Sequence, residues 1–280
     1  MPIKLFTTLG TSYSFLWNER RDLFAYAFLP ILLVSFVQII GLWLTGDWQN
    51  YFKALGMAPN SAQTPQIALR TIQPIDIASI AANAVAALVA YTMFAVAWFR
   101  RYLIGAEGMT VGAAMCWGPR QWRFISRFLM LIGLVLMLGT LATIPLNLLA
   151  TTNPMLGIFA RAAILVGSLL VTARLLLILP AAAIDQSFGF RQAASATAGK
   201  SWYMVGIYLL SLMPVLLALV IIGQLITGLA IGLGLPSLSF MFVALLMQQA
   251  VMFVAIAAQV TALAEAYRQL VPPPTPTPTV

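Results

Sequence analysis

The chain alternates between long apolar stretches and short polar connectors. Six stretches stand out, at about residues 23–45, 77–99, 128–150, 158–180, 204–228 and 239–262. Each is long enough to cross a hydrocarbon core of about 30 Å, which takes roughly 20 helical residues. All six are predicted to be helices, because an open strand in lipid leaves backbone amides and carbonyls unpaired at several kcal/mol each. The first follows a preamble ending Arg20-Arg21-Asp22 and is too long for the apolar region of a cleaved signal peptide, so it is expected to stay as an anchor.

The polar connectors sort by charge. With six crossings, Lys4, Arg20, Arg21, Arg100, Arg101, Arg120, Arg123, Arg127, Arg191, Lys200 and Arg268 fall on one side, and Lys53 and Arg70 on the other. That asymmetry marks the rich side as cytoplasmic and predicts both termini there. Trp17, Trp43, Trp48, Trp98, Trp117, Trp122 and Trp202 all fall at or just outside a predicted helix end, where an amphipathic ring prefers the headgroup layer.

Composition agrees with the pattern and narrows the chemistry. Of 280 residues 61% are hydrophobic and 8% charged, against about 25% charged in an ordinary soluble domain. Histidine is absent and Cys116 is the single cysteine, so imidazole ligation of haem, binuclear metal sites and thiolate clusters lack their usual ligands. No cofactor or metal is expected. The net charge of +8 is accounted for by the one-sided connectors and does not call for a nucleic-acid partner.

The connector over 46–76 opens with Trp48, Tyr51, Phe52 and Leu55, a one-face spacing that predicts a short surface helix before Pro59, Pro65 and Pro74. Residues 271–280, with Pro272-Pro273-Pro274, form a predicted disordered tail. Residues 113–129 resemble 193–209: Ala113 and Ala114 match Ala193 and Ala194, Arg120 matches Lys200, Trp122 matches Trp202, and Leu129 matches Leu209. Residues 5–24 repeat the plan without the letters. The fold expected is therefore all-α, a single polytopic domain over 1–270. Its six transmembrane helices form three parallel hairpin units, each preceded by a short interfacial amphipathic helix.

Few residues carry candidate chemistry. Ala194-Ser195-Ala196-Thr197-Ala198-Gly199-Lys200-Ser201 fits a relaxed phosphate-loop pattern, but that pattern works only between a strand and a helix. A membrane helix precedes it closely, so the segment is read as an interfacial helix ending near Gly199, with Lys200 facing headgroups and no nucleotide bound. Arg174 is the intramembrane charge placed deepest, and such a residue is a functional candidate by default. Its competing reading is structural: about 9 Å from the cytoplasmic end of the fourth span, its guanidinium can snorkel to the headgroups. Arg161 is read as snorkelling outward. Gln248 and Gln259, eleven residues apart, fall on nearly one helical face and can line a path or bind another helix.

Ala78, Ala82, Ala86 and Ala90, and Ala258, Ala262 and Ala266, form small-residue stripes that admit close helix packing. Pro30, Pro145 and Pro214 can kink the first, third and fifth spans. The acids, read as water-facing, number five inside (Glu19, Asp22, Glu107, Asp185, Glu265) and two outside (Asp47, Asp76). None is paired at a spacing diagnostic of catalysis, and no acid or histidine sits mid-span for a proton relay.

Arg174, Leu175, Pro180, Asp185, the Ala193-Ala194 helix, Gly199 and Trp202 resemble a broad group of six-helix bacterial membrane proteins. That group is similar to the membrane domain attached to some glycerophosphodiester phosphodiesterases and includes stand-alone inner-membrane proteins. The resemblance covers about 40 residues and the six-span layout. It implies a bacterial inner membrane and a repeat-built bundle; the histidines and metal-binding acids of the phosphodiesterase are missing, so no catalysis is implied. The function expected is non-catalytic: an accessory, scaffold or lipid-interacting subunit whose partners are the phospholipid bilayer and other membrane subunits. The alternative is a transporter or channel for a small or amphiphilic solute.

Overall fold

The computed structural model describes residues 5–46, 73–105, 112, 116–152, 154–232 and 238–271. Among them all regular structure is helical: α1 (Leu5–Asn18), α2 (Arg20–Thr45), α3 (Pro74–Leu103), α4 (Pro119–Thr152), α5 (Pro154–Leu175), α6 (Ile178–Ala183), α7 (Phe190–Ala196), α8 (Ser201–Gly232) and α9 (Leu238–Leu270). Six segments are long and apolar enough to cross a membrane, namely α2, α3, α4, α5 continued through α6, α8 and α9. The all-α, six-span expectation holds. The predicted surface helix at Trp48 to Leu55, the Pro-rich tail, Ala113-Ala114 and Glu107 lie outside the described residues.

Three helices run well past their apolar stretches at one end. α3 continues to Leu103, α4 begins at Pro119 and α9 continues to Leu270, beyond the 99, 128 and 262 that hydropathy marks. Hydropathy ends where charge begins, but Arg, Gln, Leu and Ala are good helix formers, and proline is tolerated in a first turn. Residues assigned to loops, Arg100, Arg101, Arg120, Arg123, Glu265 and Arg268 among them, therefore stand on rigid helix.

The fourth span breaks, which the sequence pattern does not reveal. α5 ends at Leu175, two turn residues follow, and α6 resumes at Ile178. Pro180 explains the position: it has no N–H for the Leu176 carbonyl, and its ring crowds that carbonyl. The Leu176 carbonyl instead accepts the Leu179 amide at 3.0 Å, one residue tighter than an α-helical bond. Every residue of α6 is buried, and the segment packs against α3, α4 and α9.

α2 packs against α3, α4 against α5, and α8 against α9. The start of α2 meets the end of α3 through Asp22 and Arg101. Near the other end Gly41 of α2 faces Ser79 of α3 so closely that a Cβ at Gly41 would collide with Ser79 Oγ. The start of α8 meets the end of α9 through Tyr203 and Gln269, and α4 packs along α5. α9 is central, touching α1, α2, α3, α6 and α8. Lipid tails are as apolar as leucine, so close packing holds such helices together. Ala258, Ala262 and Ala266 are accordingly buried, whereas of the α3 stripe only Ala86 and Ala90 are buried and Ala78 and Ala82 face outward.

Trp98 departs from the headgroup role expected of it. It is fully buried, stacked on Phe94 with ring centroids 6.0 Å apart and edge-on to Phe15 at 5.6 Å, and its Nε1 donates to Thr261 Oγ1 at 2.8 Å. The continuation of α3 to Leu103 places it inside the bundle, where the indole N–H needs a protein partner. Trp17, Trp43, Trp122 and Trp202 are exposed, as the interfacial reading expects.

Candidate functional site

The end of the bundle that carries the helix extensions collects the charged side chains into ion-paired knots. At the first, Arg101 lies between two carboxylates, 2.7 Å from Glu19 and 2.9 Å from Asp22. Glu19 is where α1 gives way to α2, so this arginine fixes that junction to the end of α3. α1 itself is held to the bundle: Tyr13 Oη donates to the Ser211 carbonyl at 2.6 Å, and Thr8 Oγ1 lies 2.8 Å from Tyr203 Oη. Burial pushes the Tyr13 phenol above its ordinary pKa. One face of α1 is thus packed, while Phe6 and Trp17 point outward.

The second knot is Glu265, which is buried rather than water-facing because α9 continues past its apolar stretch and turns this residue inward. Its carboxylate accepts from Tyr102 at 2.6 Å, from Gln269 at 2.8 Å and from Arg268 at 2.7 Å. Burying a carboxylate is costly unless it is paired and hydrogen-bonded, and here both conditions are met. Gln269 continues the network to Thr8.

The third knot is Asp185, at the turn where α6 ends, with φ at +63°. Three arginines converge on it: Arg120 at 2.6 Å, Arg123 at 2.7 Å and Arg100 at 3.7 Å. Arg100 also donates to the Ala183 carbonyl, Arg127 donates to the Phe188 carbonyl at 2.7 Å, and Tyr267 Oη donates to Gln186 Oε1. The 183–188 turn is therefore tied to α3, α4 and α9 together.

Arg174 is half-buried and reaches across to α7. Its Nη2 donates to the Ala194 carbonyl at 2.7 Å and its Nε to Thr197 Oγ1 at 3.3 Å, which satisfies the last turn of α7, where helix carbonyls lack partners. α7 ends at Ala196, three residues before the Gly199 that the sequence pattern marked; Gly199, at φ +72°, turns the chain toward α8, and Lys200 after it is exposed. Arg174→Ala is expected to lower stability by about 2 kcal/mol, the scale of a lost charged hydrogen bond. Hydrogen exchange should then quicken over residues 190–197 while α9 stays protected.

The glutamines separate. Gln249 bridges to another span, donating to Gln38 Oε1 at 3.1 Å. Gln248 and Gln259 are half-buried and stand about 17 Å apart along α9 at 1.5 Å per residue. A crevice of about 250 Å³ lies among α4, α5 and α8, lined by Val135, Leu165, Leu169, Thr172 and Tyr208.

The residues that organise this end, Arg100, Arg101, Arg120 and Arg123 with Asp22 and Asp185, counted in the sequence only as one-sided charge. Their pairings join positions 62 to 85 apart, and no local spacing signals such contacts.

Six apolar spans, with most of the described charges gathered at one end, define a multi-pass helical membrane protein. Compared with known proteins, the chain matches no family model, no curated protein and no solved structure.

Proposed function

We propose that the protein is a non-catalytic component of a bacterial inner membrane, with the knotted basic end in the cytoplasm, acting as an accessory, scaffold or lipid-interacting subunit. The observation that carries this reading is the state of the charges. Each described carboxylate of the basic end, Glu19, Asp22, Asp185 and Glu265, is held by a guanidinium. These acids are engaged in joining helices, and the surplus charge is positive, the sign that suits an anionic inner leaflet. The exposed apolar faces of α4 and α8, with Met130, Leu136 and Leu141 on one and Met213, Leu217 and Leu225 on the other, offer surface to lipid or to partner helices. The resemblance to six-helix bacterial proteins supports the same location.

A second reading, a transporter for an amphiphilic solute, is favoured by one feature. Discontinuous spans often build transporter sites, and here the fourth span breaks at Leu176-Leu177, with Leu176 also lining the crevice among α4, α5 and α8. The test is purification from native membranes in mild detergent, with mass spectrometry of everything retained. A stoichiometric protein partner or a specific lipid supports the first reading. A protein that emerges alone and whose loss abolishes uptake of a solute supports the second.

A further inference from the structure

The knot around Asp185 holds more positive charge than it neutralises. Arg120 and Arg123 engage the two carboxylate oxygens, and Arg100 stands behind them. Three guanidiniums against one carboxylate leave two positive charges in one place. Arg100 is 19% exposed and shares its donors with the Ala183 carbonyl. Arg120 and Arg123 are about half exposed, at 50% and 52%, and each guanidinium has five N–H donors of which the carboxylate uses few. The same turn of α4 carries Trp122, exposed and packed edge-to-face on Trp117 with ring centroids 5.6 Å apart. Indole rings in this setting mark the headgroup layer. The arrangement is also rigid: Arg120 and Arg123 stand on the first turns of α4, and Asp185 is fixed in a backbone conformation that non-glycine residues seldom take.

We propose that Arg120 and Arg123, backed by Arg100, bind the phosphate oxyanion of an anionic phospholipid headgroup, with Asp185 as the resident counter-charge that holds the guanidiniums in place. This rests on the reading that the basic end lies at the headgroup layer. Guanidinium forks match phosphate geometry in pairs of parallel hydrogen bonds, which is why arginine rather than lysine suits the role. The resident carboxylate keeps the arginines together while the site is empty, and a phosphate that binds must displace it from their donors.

The experiment is native mass spectrometry of the full chain in detergent, titrated with phosphatidylglycerol, phosphatidic acid, phosphatidylcholine and inorganic phosphate. The two anionic lipids should be retained in preference to phosphatidylcholine. Arg120→Gln with Arg123→Gln should weaken that retention about 25-fold, at roughly fivefold for each basic contact near a membrane surface. Arg161→Gln, on α5 about 20 Å from Arg174, should leave it unchanged.

Asp185→Asn separates binding from folding. Asparagine tolerates the left-handed backbone, so this variant removes the charge and leaves the turn: thermal stability should fall while anionic lipid binds at least as tightly as before. If the arginines only held the fold, Asp185→Asn would lose lipid in step with stability, and the proposal would be wrong. Displacement of lipid by inorganic phosphate would overturn the lipid assignment in favour of a soluble phosphate. Retention of anionic lipid indifferent to both arginines would overturn this site and leave the lipid-interacting reading standing, whereas no anionic preference in the unaltered chain would count against both.

Discussion

Trp98→Ala is expected to be the most damaging truncation to alanine among the described residues, lowering the free energy of unfolding by about 3–5 kcal/mol. The ring is fully buried between Phe94, Phe15 and the central α9, and its N–H is spent on Thr261. Removing it opens a cavity where α1, α3 and α9 meet, and in a membrane bundle those lost contacts are not replaced by a hydrophobic force between helices. Thr261→Val isolates the polar part. It keeps the shape, leaves the indole N–H without its partner, and should cost about 1 kcal/mol. Thermal or denaturant unfolding in detergent, followed by tryptophan emission in the Thr261 variant and by helicity in both, measures the difference. Equal effects of the two substitutions would show that packing at this position matters little.

Arg101→Ala is expected to rank next, at about 3 kcal/mol. The guanidinium is 13% exposed and makes two short contacts, to Glu19 and Asp22, and hydrogen bonds to charged groups each contribute about 1.5–3 kcal/mol. The sum is discounted because both carboxylates are partly solvated, at 30% and 42% exposed. The loss should be local in origin: exchange at the α1–α2 junction, residues 19–23, quickens before that of α9. Arg101→Lys, one point charge in place of a fork, should recover less than half of the loss. Full recovery with lysine would mean that charge alone, and not a fork spanning two carboxylates, holds the junction.

The six spans were legible because each is a local property: a run of apolar residues about as long as a bilayer is thick. The small-residue stripe of α9 was legible for the same reason, since its spacing lies within one helix. What escaped is non-local. Glu265 and Asp22 look alike in sequence, each an acid beside the end of an apolar run, yet one is buried against Tyr102 and the other is half exposed beside Arg101. The difference comes from how far each helix continues past its apolar stretch. Trp98 was misplaced by the same cause.

Pro180 is a milder case. A proline near the predicted end of a span reads as a stop, and it took the burial of all of α6 to show that the chain continues as helix after the break. Arg174 illustrates the limit from the other side. The sequence identified it as the charge needing an explanation, and its partners, Ala194 and Thr197, lie beyond the turn that Pro180 and Asp185 create.

The most direct test of the central claim, six crossings with the basic end inside, uses the chain's own chemistry. Cys116 is the single cysteine, is exposed, and lies at the basic end beside Gln121, which donates to its carbonyl. A membrane-impermeant maleimide should leave Cys116 unlabelled in intact cells and label it once the membrane is permeabilised. In a Cys116→Ser background, Gln73→Cys at the exposed start of α3 should label from outside without permeabilisation. Labelling of Cys116 in intact cells, or of both positions from the same side, would contradict the arrangement.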